Sequence, residues 1–208
     1  MRTLLIGLTG DPPHLGHLHI ATYFSPLFDE VWLLPVFRHM FKEKRDRQSP
    51  PFSARLAMCT TLVAHLPTVS VSDAEETIFN QKAADSPSAP SIRVGTADVL
   101  AYLSASHPNR EFHFAMGSDV YLDIVNGKWR NTEAIQSALC NAPGGSRLHV
   151  VNRVNTPIPT NPAFRAVIHN IDGLPPISST DVRNADSSSL ESLVGAQLAA
   201  LINNNKYY

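Results

Sequence analysis

Thr3-Leu4-Leu5-Ile6-Gly7-Leu8-Thr9-Gly10-Asp11-Pro12-Pro13-His14-Leu15-Gly16-His17 is the stretch on which the architecture turns. Thr3 to Leu8 is almost wholly apolar and short, the pattern of a strand buried on both faces. A Gly/Pro turn follows, and from Gly16 the run His17-Leu18-His19-Ile20-Ala21-Thr22-Tyr23-Phe24 reads as helix. Strand, tight turn and helix together make the opening of a βα unit.

Working outward, the same alternation recurs. Val31 to Val36 reads as strand, Ser53 to His65 as helix, Val69 to Val71 as a short strand and Val94 to Ser104 as helix. Glu111 to Met116 is a strand ending in Gly117-Ser118-Asp119. Helical Thr132 to Leu139, a strand over Arg147 to Val151 and a late strand over Ala166 to His169 complete the series. Strands alternating with helices predict an α/β fold, a parallel sheet with helices on both faces. Gln81 to Ser91, with Ser86-Pro87-Ser88-Ala89-Pro90, predicts a mobile surface loop, and Pro157 to Pro162 a second Pro-bearing loop. Leu190, Leu193, Val194, Leu198 and Leu201 recur at helical spacing, so Ser188 to Ile202 predicts one amphipathic helix, in a segment 184–208 packed on the domain.

At 208 residues and 43% hydrophobic composition the chain suits one domain, 1–208, with a sizeable core. Lys plus Arg at 17 against Asp plus Glu at 18 leaves a net charge of −1, so no global field draws it to nucleic acid or anionic membrane. Any anionic ligand has to be held by local groups. Cys59 and Cys140 lie far apart and outside any CxxC pair, which fits a reducing compartment. The opening Leu4-Leu5-Ile6 is too short for a signal peptide, and no run approaches the roughly 18 apolar residues of a membrane span, so a cytoplasmic protein is expected.

In an open parallel sheet, ligands bind beyond the carboxyl ends of the strands. Three such loops carry unusual polar sets. In the first, which begins at Thr9, Gly10 permits close backbone approach, Gly16 opens a helix whose free N–H groups favour an anion, and His14 and His17 are placed to aim imidazole donors at one phosphate. The same residues, read with His19 as HxxHxH and Asp11, leave a zinc site as a minor alternative, although His19 turns to another helical face. In the second, Gly117 and Asp119 follow a strand, Asp119 can accept from a ribose, and Trp129 offers a flat surface to a heteroaromatic ring; the blander readings are a helix cap and a core aromatic. In the third, Ile177-Ser178-Ser179-Thr180-Asp181-Val182-Arg183 combines three hydroxyls with a guanidinium fork, equipment suited to a polyphosphate. A basic run, Arg38 to Arg45 including Lys42, and Arg55 beyond Ser49-Pro50 lie near the end of the second strand and read equally as solvated loop or as ligand groups.

With these residues assembled, the chain resembles the HxGH nucleotidyltransferases, and among them the nicotinate/nicotinamide mononucleotide adenylyltransferases. The resemblance is carried by Gly7 to His17, Ser49-Pro50 with Arg55, Gly117-x-Asp119 followed by Trp129, and Ile177 to Arg183, in the family's order. Leu8 stands where the family has glycine and Gly10 where it has phenylalanine. The resemblance implies a single Rossmann-like domain that moves AMP from ATP to a pyridine mononucleotide, releasing pyrophosphate and giving deamido-NAD or NAD. It implies His14, His17, Lys42 and Arg183 in catalysis. Around ATP it implies Thr9, Gly10, Gly16, Gly117, Asp119, Ser178, Ser179, Thr180 and Arg183. Around the mononucleotide it implies Thr96, Trp129 and Arg55. Magnesium is implied as an ion carried by the ATP phosphates, with no protein side chain assigned to it, and a homo-oligomer is compatible. The rival readings are another small-molecule adenylyl- or cytidylyltransferase, such as one acting on phosphopantetheine, and a nucleotide-binding regulator without turnover.

Overall fold

A computed structural model describes residues 1–38, 49–85, 92–152, 158 and 161–208. Six strands form one sheet: β1 (Arg2–Leu8), β2 (Glu30–Pro35), β3 (Val69–Val71), β4 (Glu111–Gly117), β5 (Leu148–Val151) and β6 (Val167–His169). Their order is β3-β2-β1-β4-β5-β6 and each adjacent pair is parallel. The helices are α1 (Leu15–Phe24), α2 (Phe52–Val63), α3 (Ala74–Ala84), α4 (Thr96–Ser106), α5 (Ser118–Val125), α6 (Thr132–Ile135, continued by a π turn over Gln136–Cys140), α7 (Ser179–Arg183), α8 (Leu190–Val194) and α9 (Ala196–Asn205). This is the expected Rossmann-like α/β sheet.

Strand geometry explains the two-sided core, because successive side chains point to opposite faces. From β1, Leu4, Ile6 and Leu8 join Ile20 and Phe24 of α1, Met58 and Leu62 of α2 and Leu198 and Ile202 of α9. Leu5 points the other way, among Ile78 of α3, Leu100 of α4, Ile124 of α5 and Leu139. Leu4 and Leu5 are both fully buried; each contributes roughly 2 kcal/mol of transfer free energy. Between β1 and β4 the winding reverses, so a crevice opens at the strands' carboxyl ends there.

Three expectations need correction. The loop expected from Gln81 begins later, since residues 81–84 complete α3; the rest of that stretch, residues 86–91, lies outside the described residues. Helix α3 itself has no counterpart in the sequence reading, because its buried residues, Ala74, Ile78 and Phe79, are too few to set a clear periodicity. The single C-terminal helix is two, because Gly195 takes φ +83° and ψ 157° between α8 and α9. Only glycine adopts that conformation readily, so Gly195→Ala should lower stability by roughly 1–3 kcal/mol in chemical denaturation.

On the α1 side of the sheet, three histidines, two buried and His169 partly so, form a chain across β4, β5 and β6. Glu111 Oε1 lies 2.7 Å from His113 Nε2, His113 Nδ1 3.0 Å from His149 Nε2, His149 Nδ1 2.8 Å from His169 Nε2, and His169 Nδ1 3.2 Å from Tyr23 Oη. A neutral imidazole donates at one nitrogen and accepts at the other. Because the ionised Glu111 end can only accept, every ring must donate through Nε2 and accept through Nδ1, ending with the Tyr23 hydroxyl as donor. Burial pushes His149 down to about 3, helped by its two neighbours, and lowers His113 and His169 as well. Unfolded, these rings protonate near pH 6.5; folded, they resist protonation, so below that pH the unfolded state binds more protons. Stability is therefore fully present above about pH 6.5 and declines as pH falls toward 3. Thermal melting at pH 5 should occur well below that at pH 7.5, and His149→Gln should flatten the dependence.

Candidate active site

The crevice is built from the loop after β1. Gly10 has φ +64°, the Asp11–Pro12 peptide is cis, and His14 caps α1. His14 Nδ1 accepts from the Gly16 N–H at 3.2 Å, while His17 Nδ1 accepts from the His14 N–H at 3.2 Å. Each neutral ring therefore carries its proton on Nε2, and the two rings stand 3.9 Å apart. A Cβ at position 16 would come within 2.9 Å of the His14 ring, which explains glycine between the histidines. His19 is turned away, its Nε2 3.0 Å from the Asp172 carbonyl oxygen, and among the described residues no group of three or more His, Cys, Asp or Glu converges on a metal position.

Helix α7 is stitched onto this turn. Ser179 Oγ donates to the Pro12 carbonyl at 2.8 Å, and Arg183 donates to the Asp11 carbonyl and, at 2.8 Å, to Thr180 Oγ1. The Asp11 carboxylate accepts from Ser49 Oγ and from the Tyr208 hydroxyl, both at 2.7 Å. Three segments remote in sequence thus fix one turn.

Two cavities meet here, sharing Gly7, Leu8, Thr9, Met116 and Val120. The polar one is lined by His14, His17, Gly117, Asp119, Ser178 and Ser179. The apolar one is lined by Thr96, Trp129, Leu34, Val99 and Phe114, together with Glu75 and Asp123. So Thr9, His14, His17, Gly117, Asp119, Ser178 and Ser179 come together as the sequence suggests, and Thr96 with Trp129 in the neighbouring space. Gly16 supports them from beneath the His14 ring.

Five expected residues are placed differently or not described. Gly10 lines neither cavity; its α-carbon faces Cys59 Sγ and Pro35. Arg55 is 7% exposed, and its guanidinium donates to the carbonyls of Thr9 at 2.8 Å, Val36 at 2.6 Å and Phe37 at 3.1 Å. It clamps the ends of β1 and β2 from inside rather than facing a ligand, and its Nε has no partner among the described residues. Thr180 and Arg183 brace the turn and do not line the polar cavity. Lys42 lies outside the described residues. Glu75 and Asp123 were not singled out from the sequence, although Glu75 follows the carboxyl end of β3 and the strand-end rule applied there points to it.

The cytidylyltransferase-like family pattern matches residues 9–185, spanning every loop just described. The chain belongs to this family. Among curated proteins, it is 32% identical over 161 residues to a "probable nicotinate-nucleotide adenylyltransferase" of Myxococcus xanthus, covering 76% of this chain and 72% of that one. It is 33% identical over 183 residues to the protein of the same name from Anaeromyxobacter dehalogenans, covering 86% and 80%. Among solved structures, nicotinic acid mononucleotide adenylyltransferase of Plasmodium falciparum complexed with NaAD superposes with a TM-score of 0.73 at 19% identity, over 100% of this chain and 98% of that one. The same enzyme complexed with APC gives 0.70 at 16% identity, over 99% and 96%. At those identities the structures speak for the fold. As a member of the cytidylyltransferase-like family, with relatives of this identity, the protein is a nucleotidyltransferase, and its relatives place it among the adenylyltransferases of NAD biosynthesis. Among its described residues no helix is long and apolar enough to cross a membrane.

Proposed function

We propose that this nucleotidyltransferase moves AMP from ATP onto nicotinate or nicotinamide mononucleotide. The observation that carries the reading is the junction of a polar, histidine-bearing cavity with an apolar, tryptophan-bearing one across Gly7 to Thr9. The first suits the phosphates and ribose of ATP, with Asp119 at the ribose; the second suits a flat pyridine against Trp129, with Thr96 at its substituent. The reacting atoms then belong at the shared wall.

An acceptor phosphate is largely dianionic at neutral pH, its second pKa being about 6. One of its oxygens attacks the α-phosphorus, a new P–O bond forms, and the bond to the β-phosphate oxygen breaks to release pyrophosphate. No protein base is required. His14 and His17 hold donating Nε2–H groups toward the phosphates, and Ser178 and Ser179 add hydroxyls. Arg183 acts through Asp11 and Thr180 by fixing the turn. Magnesium fits as an ion held chiefly by ATP: the polar cavity's lining has one carboxylate, Asp119, and hydroxyl oxygens, too little for a protein cage. Bound there, it neutralises phosphate charge. Leu8 buries its side chain in the α1-side core and Gly10 packs on Cys59, so neither departure from the family pattern obstructs the histidines.

A cytoplasmic location is part of this reading. Pyrophosphate release measured with ATP and a panel of acceptors tests it. Release with the two pyridine mononucleotides is expected; release only with phosphopantetheine, or ATP binding without release for any acceptor, overturns it in favour of those rivals.

A further inference from the structure

Tyr208 has no part in the reaction scheme above, yet it is tied to the histidine turn. Beyond α9, Lys206 takes φ +51° and ψ 50°, a left-handed conformation that residues with side chains adopt at a cost. Past that turn Tyr207 packs on the α1-side core and Tyr208 reaches back to the loop after β1. Tyrosine usually buries its ring and leaves its hydroxyl wet. Here the order is reversed: Tyr208 is 40% exposed, while its hydroxyl donates at 2.7 Å to Oδ1 of Asp11, a residue only 3% exposed. Apolar burial does not account for that placement; the hydrogen bond does. Burial around the hydroxyl, and then the Asp11 carboxylate, push it up from its ordinary range, so it stays a donor at neutral pH.

Asp11 lines neither cavity, so its influence on the reaction has to pass along the chain. Its Oδ2 accepts from Ser49 Oγ, so both carboxylate oxygens are held. Between Asp11 and His14 stand Pro12 and Pro13, whose rings fix φ. Such a stiff link passes a shift of Asp11 on to His14 instead of absorbing it. The His14 N–H in turn donates to His17 Nδ1, so both imidazoles move with the turn. Ser179, which lines the polar cavity, donates to the Pro12 carbonyl within the same link.

We propose that Tyr208 is a positioning residue for AMP transfer, which through Oδ1 of Asp11 holds His14 and His17 in register with the ATP phosphates. The inference rests on the reading that the polar cavity takes those phosphates, and it is independent of which mononucleotide accepts.

Tyr208→Phe removes the hydroxyl and keeps the ring. Pyrophosphate release is measured with ATP and the acceptor that the wild type uses best, well below the melting temperature of each variant, so that kcat reports folded enzyme. Misplacing a reacting group by about 1 Å can cost about 10²-fold in rate; with Ser49 and Arg183 still holding the turn, kcat should fall by roughly 5–30-fold. KM for the acceptor should change by less than about twofold, the split expected when only transition-state contacts are lost. A merely structural role predicts lower melting with kcat unchanged, and that result overturns the proposal. Asp11→Ala supplies a second readout. If Tyr208 acts through Asp11, adding Tyr208→Phe to Asp11→Ala should leave kcat within about twofold of Asp11→Ala alone, whereas losses that multiply overturn the proposal. Should Asp11→Ala not fold, the first comparison decides. Failure of the underlying reading looks different: His17→Ala turns over normally, or the wild type binds ATP and releases no pyrophosphate with any acceptor, and the proposal falls with it.

Discussion

His17→Ala should lower kcat by roughly 10²–10³, the usual effect of removing one donor aimed at a transition state, while the protein stays folded. His17 is partly exposed at the first turn of α1, and its Nδ1 accepts from the His14 N–H. Truncation also loosens His14, whose ring stands 3.9 Å away, so the loss reflects both imidazoles. His17→Asn separates the two effects. A side-chain oxygen can still cap the His14 N–H, so that variant should melt like the wild type yet remain slow. Near-normal steady-state turnover in His17→Ala would remove the histidines from the mechanism.

Arg55→Met should cost about 3 kcal/mol of stability. Methionine replaces the apolar stem, but three partly buried carbonyls, those of Thr9, Val36 and Phe37, lose their donors. An unsatisfied buried polar group costs about 1–3 kcal/mol, partly offset because a charge no longer has to be desolvated. For a chain of this size that is a melting temperature lower by about 6–12 °C. Arg55→Lys should recover only part, since an ammonium cannot span carbonyls from two strand ends as a planar fork does. A loss below about 1 kcal/mol would mean that water replaces the guanidinium and that the clamp is not structural.

The difference between these two residues shows where sequence was informative. His14 and His17 were legible because their spacing, the glycine between them and the helix start are local facts, and local geometry decides where the rings stand. Arg55 read as a ligand group because an arginine near a strand end says nothing about what its guanidinium will meet; that depends on how the ends of β1 and β2 approach. The sheet followed from Thr3 to Leu8 and its echoes, since a strand buried on both faces implies helices on both sides. The break at Gly195 was hidden because apolar residues keep helical spacing straight through it. Glu75 went unnoticed for a related reason. The helix bearing it buries so few residues that no periodicity marks it, and its place in the cavity depends on walls contributed by α4 and α5.

Asp11 shows how late in folding the site takes form. Its backbone and carboxylate are held by Ser49, Arg183 and Tyr208, partners 38, 172 and 197 positions away. Contacts of such sequence separation form only after the loop-closure entropy of most of the chain has been overcome. During ribosomal synthesis the histidine turn therefore emerges well before its anchors, and a nascent chain that ends before Arg183 has this turn without the arginine that fixes it. Nucleotide affinity should thus report completion of the native topology, appearing after the sheet and not with it.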